Sequence, residues 1–287
     1  MPDGCSLLPQ SDASVLKAAL AAASVSPGDH VLEIGAGTGV LTRALLSAGA
    51  RVTALERDRA LATALAANNE ALVASGALRV VHDDALRWLR GADAAASFPE
   101  LTAEAGAPRA KVVSNIPYAI STELLGLLLP RGAAFGPVVL LVQEEWAQRL
   151  VAAPAGAADA REMSMRVRFY SQPRYVRFVA RAAFSPPPNV DSAVVAFDLR
   201  QPQDWPLPRG PRTAAFFAML RASFASRRKM LRKTLAASAL GASGDAIGAA
   251  LAAAGASPDA RPQELALAQF LALFAALQPD EAAPKAV

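Results

Sequence analysis

Five short apolar runs punctuate the first half of the chain: "HVLEI" (30–34), "RVTALE" (51–56), "LRVVH" (78–82), "KVV" (111–113) and "VVLLVQ" (138–143). Their apolar positions are nearly continuous, the pattern of strands covered on both faces. Ala/Leu-rich segments such as "GVLTRALLSAG" (39–49) and "RALATALAANNEALVAS" (59–75) lie between them, with apolar residues at helical spacing. Buried strands separated by helices need crossover connections, so the fold class is α/β with a parallel, Rossmann-like sheet. Two later pieces, "MRVRFYS" (165–171) and "SAVVAFDL" (192–199), alternate with period two and have no long helix between them. They predict an antiparallel addition at one sheet edge.

The stretch "QPQDWPLPRGPR" concentrates proline and glycine and reads as a linker. Everything after it has helical character. The expected layout is therefore a catalytic α/β domain over 1–200, a Pro-rich linker over 201–212 and a small all-α domain over 213–287.

Composition narrows the chemistry. One cysteine, Cys5, excludes an intramolecular disulfide, and with only His30 and His82 besides, no zinc cluster is expected. No apolar run reaches the roughly 18 residues of a membrane span, so no membrane partner is expected. The start "MPDGCSLLPQSD" has neither a secretory apolar region nor an Arg/Ser-rich presequence, so no targeting segment is expected within the chain. A net charge of +4 permits a polyanionic partner.

The first strand runs into a glycine loop, "VLEIGAGTGVLTRAL". Gly35 and Gly37 allow tight turns and close approach of backbone to a ligand. A dinucleotide enzyme requires G-x-G-x-x-G; here the spacing is G-x-G-x-G, and Glu33 on the strand suits phosphates poorly. The second strand ends in Glu56, whose carboxylate can accept from two ribose hydroxyls. The third ends in "HDDAL", where Asp84 can accept from an adenine amino group, while Asp83 faces solvent or caps the following helix. A ligand with ribose and adenine but no phosphate is S-adenosyl-L-methionine.

The fourth strand leads into "SNIPYAIST" (114–122). An exocyclic adenine amine is a poor nucleophile because its lone pair is delocalised into the ring. Hydrogen bonds from its N–H groups to the Asn115 carboxamide oxygen and the Ile116 carbonyl would favour a pyramidal nitrogen with its lone pair aimed at a methyl group. Pro117 fixes the bend, and Tyr118 can stack on the base. No general base is needed before transfer, since the proton can leave afterwards to water.

"VLEIGAGTGVLT", "NIPYAIST" and "FSPPPNVDSAVV" (184–195) stand in the order of three signatures of a known family. On them the chain resembles the ribosomal RNA adenine N6,N6-dimethyltransferases, whose relatives include the Erm resistance methyltransferases. Segments such as "VRFYSQPRY" and "ASFASRRKMLRKTL" look most like the chloroplast branch of plants and algae. The resemblance implies a class I S-adenosylmethionine-dependent methyltransferase sheet, and dimethylation of adenine N6 in the 3′ terminal helix region of small-subunit rRNA. It further implies a monomer acting on rRNA or the pre-30S subunit in the chloroplast stroma, with mitochondrion and cytoplasm as alternatives. The family's cofactor contacts fall on Gly35, Glu56, Asp84 and Asn115, and Phe184 corresponds to a second aromatic clamp on the adenine, with core packing as its other reading. At the N-terminus the chain departs from the family: "GCSLLPQSD" stands where "GQNFL" or "GQHF" is usual, leaving backbone contacts from Ser6 and Leu8 as the implied remainder.

"RASFASRRKMLRKTL" (221–235) carries Arg221, Arg227, Arg228, Lys229, Arg232 and Lys233 with no acid among them. On one continuous helix, Arg221, Arg228 and Arg232 form a stripe that could follow an RNA phosphate backbone. "RVRFYSQPRYVRFVAR" (166–181) interleaves arginines with aromatics and would extend that surface. Two alternatives stay open: a catalytically weak RNA-binding or organellar transcription-factor-like relative of the same fold, and a nicotinamide oxidoreductase, which the glycine spacing and "NIPY" oppose.

Overall fold

The computed structural model describes residues 13–91, 98, 109–151, 161–238 and 242–278. It divides into two compact units, Met1–Val151 with Tyr170–Pro202, and Ala152–Phe169 with Gln203–Val287.

The first unit is built on a seven-stranded sheet. Its strands are β1 (His30–Ile34), β2 (Arg51–Glu56), β3 (Leu78–His82), β4 (Ala110–Asn115), β5 (Phe135–Gln143), β6 (Ser171–Val179) and β7 (Ser192–Leu199). Their order is β3-β2-β1-β4-β5-β7-β6, with β1 to β5 parallel and β7 antiparallel to both neighbours. The sequence reading of the first three strands coincides with the observed bounds. The expectation of strands covered on both faces holds for β1 and β2. It is corrected for β3, which lies at the sheet edge and buries only Leu78.

Helix α1 (Ala13–Ala22) packs on the sheet through Val15, which joins Val113, Val139, Leu141 and Val194 in the main apolar cluster. Helix α2 (Val40–Ser47) follows the glycine loop. The stretch 59–75, read as one helix, is two: α3 (Arg59–Ala67) and α4 (Glu70–Ala74). Asn69 turns its amide back to the Leu65 carbonyl at 2.8 Å, so its side chain takes a bond that a continuing helix would have needed. Helices α5 (Ala85–Arg90), α6 (Ser121–Leu128) and α7 (Glu144–Val151) are further helices among the described residues of this unit.

The chain departs from β1 to the left through β2 and returns to its right through β4, so β1 and β4 border the reversal of strand order. In open α/β sheets the crevice at the carboxyl ends of such strands is where ligands bind. The register between them runs Val31↔Lys111 and Leu32↔Val112. Beyond it the Ile34 N–H donates not to a backbone carbonyl but to the buried Ser114 hydroxyl, at 2.8 Å.

One expectation is corrected. Residues 165–170 are not a strand but part of helix α8 (Glu162–Tyr170), and the edge strand β6 begins at Ser171. The two-residue alternation of Met165, Val167 and Phe169 is real in burial, but tertiary packing sets the backbone. In the second unit Phe169 stacks on Phe216 at 5.7 Å and meets Phe217 edge-on at 5.0 Å. Arg166 places its guanidinium 4.6 Å over the Phe217 ring and pairs with Glu162 one helical turn back. The antiparallel addition at the sheet edge remains, made by β7 and β6.

The second unit also contains α9 (Pro211–Phe224), α10 (Leu231–Ala236), α11 (Gly244–Ala253) and α12 (Leu267–Leu277). Its core is aromatic and aliphatic, with Phe216 edge-on to Phe274 at 5.5 Å, and Leu231, Leu235, Ile247 and Leu251 fully buried.

Candidate active site

The glycine loop leaves β1 with Gly35 at φ 77° and Gly37 at φ 56°, conformations that side chains rarely adopt. A Cβ on Gly35 would sit 3.4 Å from the Asn115 carbonyl oxygen and 3.8 Å from Pro117 Cδ, so the loop lies against the end of β4. The Gly35 amide donates to the Leu55 carbonyl at 2.7 Å, and the Gly37 amide to Glu56 Oε2 at 2.8 Å. Glu56 Oε1 accepts the Asp58 amide, also at 2.8 Å. Each carboxylate oxygen thus spends one lone pair on backbone and keeps another for a ligand hydroxyl.

Asp84 lies at the carboxyl end of β3, as the sequence placed it, but it is also the N-cap of α5. Its Oδ1 accepts the amides of Leu86 and Arg87, each at 3.0 Å. Capping therefore falls to Asp84, while Asp83 accepts the Asp84 amide at 2.6 Å and pairs with the Arg87 guanidinium. Both cap bonds use Oδ1, which leaves Oδ2 for an amino donor.

Asn115 ends β4 with 6% exposure, and Ile116 follows with 2%. Pro117, at φ −56° and ψ 130°, turns the chain into a short helical turn over Tyr118–Ile120. The Tyr118 hydroxyl lies 2.7 Å from Ser192 Oγ on β7, and burial pushes the phenol above its usual range. The ring is thereby fixed at its far end. The loop before β7 is held in turn: Asp191 accepts the Arg181 amide through its side chain at 2.9 Å and the Glu144 amide through its carbonyl at 3.0 Å.

Phe184 is 4% exposed and belongs to the apolar cluster with Val179 and Val194. In this arrangement the ring packs in the core. Ser6 and Leu8 lie outside the described residues. Glu33 is fully buried, accepts the Thr42 hydroxyl at 2.6 Å on Oε2, and has no partner for Oε1 among the described residues. Burial pushes its carboxyl up to about 8 against the pull of the Thr42 hydrogen bond.

The basic residues of 221–235 do not lie on one helix. Helix α9 ends at Phe224 and α10 begins at Leu231. The Met230 backbone is extended, and the Leu231 amide bonds to the Ala260 carbonyl at 2.8 Å, a tertiary acceptor in place of a helical one. Arg221 is in the last turn of α9, Arg227, Arg228 and Lys229 in the intervening turn, and Arg232 and Lys233 on α10. Arg232 pairs with Asp259 at 2.7 Å. The stripe of three arginines is replaced by a cluster of cations about a turn.

Sequence reasoning missed Ser114, Thr42 and Ser192. Ser114 had a signal, a hydroxyl inside an apolar strand. The partner of Tyr118 is 74 residues away and had none.

Among the described residues no group of three His, Cys, Asp or Glu side chains could hold a metal, and no helix is long and apolar enough to cross a membrane. The sheet order, the glycine loop at the reversal point and acids at successive strand ends define the class: a Rossmann-like class I methyltransferase. The chain belongs to the ribosomal RNA adenine dimethylase family, whose pattern it matches over residues 10–277. It is 40% identical over 215 residues to the chloroplastic ribosomal RNA small subunit methyltransferase of Arabidopsis thaliana, covering 75% of this chain and 61% of that protein. It is 36% identical to the ribosomal RNA small subunit methyltransferase A of Pelotomaculum thermopropionicum, over 91% of this chain and 86% of that one. The crystal structure of the 23S rRNA methyltransferase ErmE superposes with a TM-score of 0.67 at 25% identity, over 93% of this chain and 98% of the other.

Proposed function

We propose that this chain methylates, and dimethylates, adenine N6 in small-subunit rRNA, with S-adenosyl-L-methionine as methyl donor. One observation carries the reading: Asn115, Ile116, Pro117 and Tyr118 stand at the carboxyl end of β4, in contact with a glycine loop whose turns only glycine adopts readily. The residues present fit the cofactor. Gly35 holds a positive φ that a side chain would strain, Glu56 offers lone pairs to ribose hydroxyls, and Asp84 Oδ2 offers one to an amino group. When bound, the cofactor supplies an electrophilic methyl on sulfur.

The chain's own residues do the positioning. The Asn115 carboxamide oxygen and the Ile116 carbonyl accept the two N–H bonds of the target amine, which concentrates its lone pair towards the donor. Pro117 holds the loop bent. Tyr118, anchored through Ser192, offers its face to the flipped base. Phe184 supports the wall behind β7 from within the core. The amine proton leaves to water after transfer, so no side chain has to act as a base.

The cations of the 221–233 region supply sequence-independent grip on phosphates, on rRNA or on the pre-30S subunit. The higher identity to small-subunit enzymes supports that substrate over 23S rRNA, and the chloroplastic relative supports the chloroplast stroma. The altered "GCSLLPQSD" favours a second reading, a catalytically weak RNA-binding relative, which requires that S-adenosylmethionine not bind. Unmodified small subunits incubated with labelled cofactor, followed by nucleoside mass spectrometry, test the proposal. Dimethyladenosine is expected with the wild type and none with Asn115→Ala, whose fold stays intact by circular dichroism; wild-type turnover in that variant would sink the mechanism.

A further inference from the structure

Glu33 is a carboxyl that the mechanism leaves idle. It lies two residues before the glycine loop, 1% exposed, with Oε2 bonded to Thr42 and Oε1 unpartnered among the described residues. Among the described residues the charged groups acting on it are Glu56 from β2 and Arg43 from α2, and on neighbouring β4 the neutral Ser114 bonds the Ile34 amide. Burial of this carboxylate, with an acid nearby, outweighs the hydrogen bonding from Thr42, so in the free protein it holds a proton, its titration pushed up to about 8.

Resting on the reading that this site takes S-adenosylmethionine, we propose that Glu33 releases its proton when a cationic ligand settles between the glycine loop and Glu56, so that the site distinguishes a sulfonium from a thioether by charge. Glu33 stands two residues before Gly35, the Glu56 charge acts on it, and Glu56 in turn holds the Gly37 amide at 2.8 Å, so a cation seated between Gly37 and Glu56 acts on Glu33 with the opposite sign. A nearby opposite charge lowers a carboxyl by roughly 1–3 pKa units. That range carries Glu33 from mostly protonated to mostly ionised at neutral pH. The proton goes to solvent, and the ionised Glu33 then holds the cationic ligand more tightly. After methyl transfer the ligand in the site is a neutral thioether. Glu33 takes a proton back from solvent, and its hold on the product weakens.

Calorimetric titration with S-adenosylmethionine at pH 7.5, in phosphate and in Tris, counts the protons released. The wild type is expected to release roughly half a proton or more, and distinctly fewer with S-adenosylhomocysteine. Its affinity for S-adenosylmethionine should rise about three- to tenfold between pH 6.5 and 8 and then level off. The ligand's own ammonium titrates near 8, but Glu33→Gln carries that contribution unchanged, so the difference between the two curves belongs to Glu33. Thr42→Val removes the hydroxyl that favours the ionised form and should move the curve to higher pH, which loss of packing alone would not do. Equal proton counts for wild type and Glu33→Gln, or for the two ligands, overturn the inference. S-adenosylmethionine bound without proton release overturns it alone; no binding at any pH overturns the cofactor reading with it.

Discussion

Replacing Ser114 with alanine removes the acceptor for the Ile34 amide at a point where neither strand can supply another. The β1–β4 ladder has ended at Leu32↔Val112, and the hydroxyl stands in for the missing backbone carbonyl at 2.8 Å. Ile34 is 1% exposed and Ser114 3%, so water cannot replace it without opening the sheet. A buried amide left unpaired costs about 1–3 kcal/mol. Deleting one oxygen leaves a void too small to add much, so the expected loss is about 2 kcal/mol. For a unit of this size each kcal/mol lowers the melting temperature by roughly 2–4 °C, giving a drop of about 4–8 °C. Urea denaturation should show a lower midpoint at unchanged m-value. Ser75→Ala is the control: that serine is exposed and bonds only the Leu72 carbonyl of its own turn, so its loss should stay within about 0.5 kcal/mol. Since Ile34 leads directly into Gly35, weaker cofactor binding should accompany the Ser114 loss. A Ser114→Ala variant as stable as Ser75→Ala would refute the assignment of Ser114 as a substitute rung of the ladder.

Three further outcomes are expected. Between about pH 4.5 and 8 the native state retains a proton on Glu33 that the unfolded chain has lost, so stability falls as pH rises through that window and the decline ends above it. Urea midpoints at pH 5.5 and 8 should show this decline in the wild type but a weaker one in Glu33→Gln; parallel curves would contradict it. Reversing the charges of Arg227, Arg228 and Lys229 should weaken rRNA binding and flatten its salt dependence, each lost phosphate contact reducing the slope by roughly 0.7–0.9; an unchanged slope would remove that turn from the interface. A Cβ on Gly132 would fall 1.8 Å from the Arg200 carbonyl oxygen, so Gly132→Ala should cost about 1–3 kcal/mol, read by thermal melting, and a neutral effect would disprove that close approach.

The strands at 30–34, 51–56 and 78–82 were legible because a continuous apolar run bounded by breakers has few other solutions. The glycine loop, Glu56, Asp84 and "NIPY" were legible because spacing and residue type both constrain the backbone locally. The helix over 162–170 was misread because a six-residue alternation fits either period, and only the aromatic rings of α9 decide between them. The basic stripe failed for the same reason: nothing within 221–235 announces that the Leu231 amide will find Ala260.

By itself the sequence determined the first five strands and their parallel pairing, the loop conformations that need glycine or proline, and which side chains reach the carboxyl ends of the strands. These depend on neighbours a few residues away. Tertiary structure alone decided that Ser114 completes a ladder, that Tyr118 is anchored by Ser192, that Phe184 is held in the core, and that Glu33 is buried with one oxygen unpartnered among the described residues. Each of these turns on burial or on a hydrogen-bond partner distant in the chain, and the free energy of a polar group depends on what surrounds it in space.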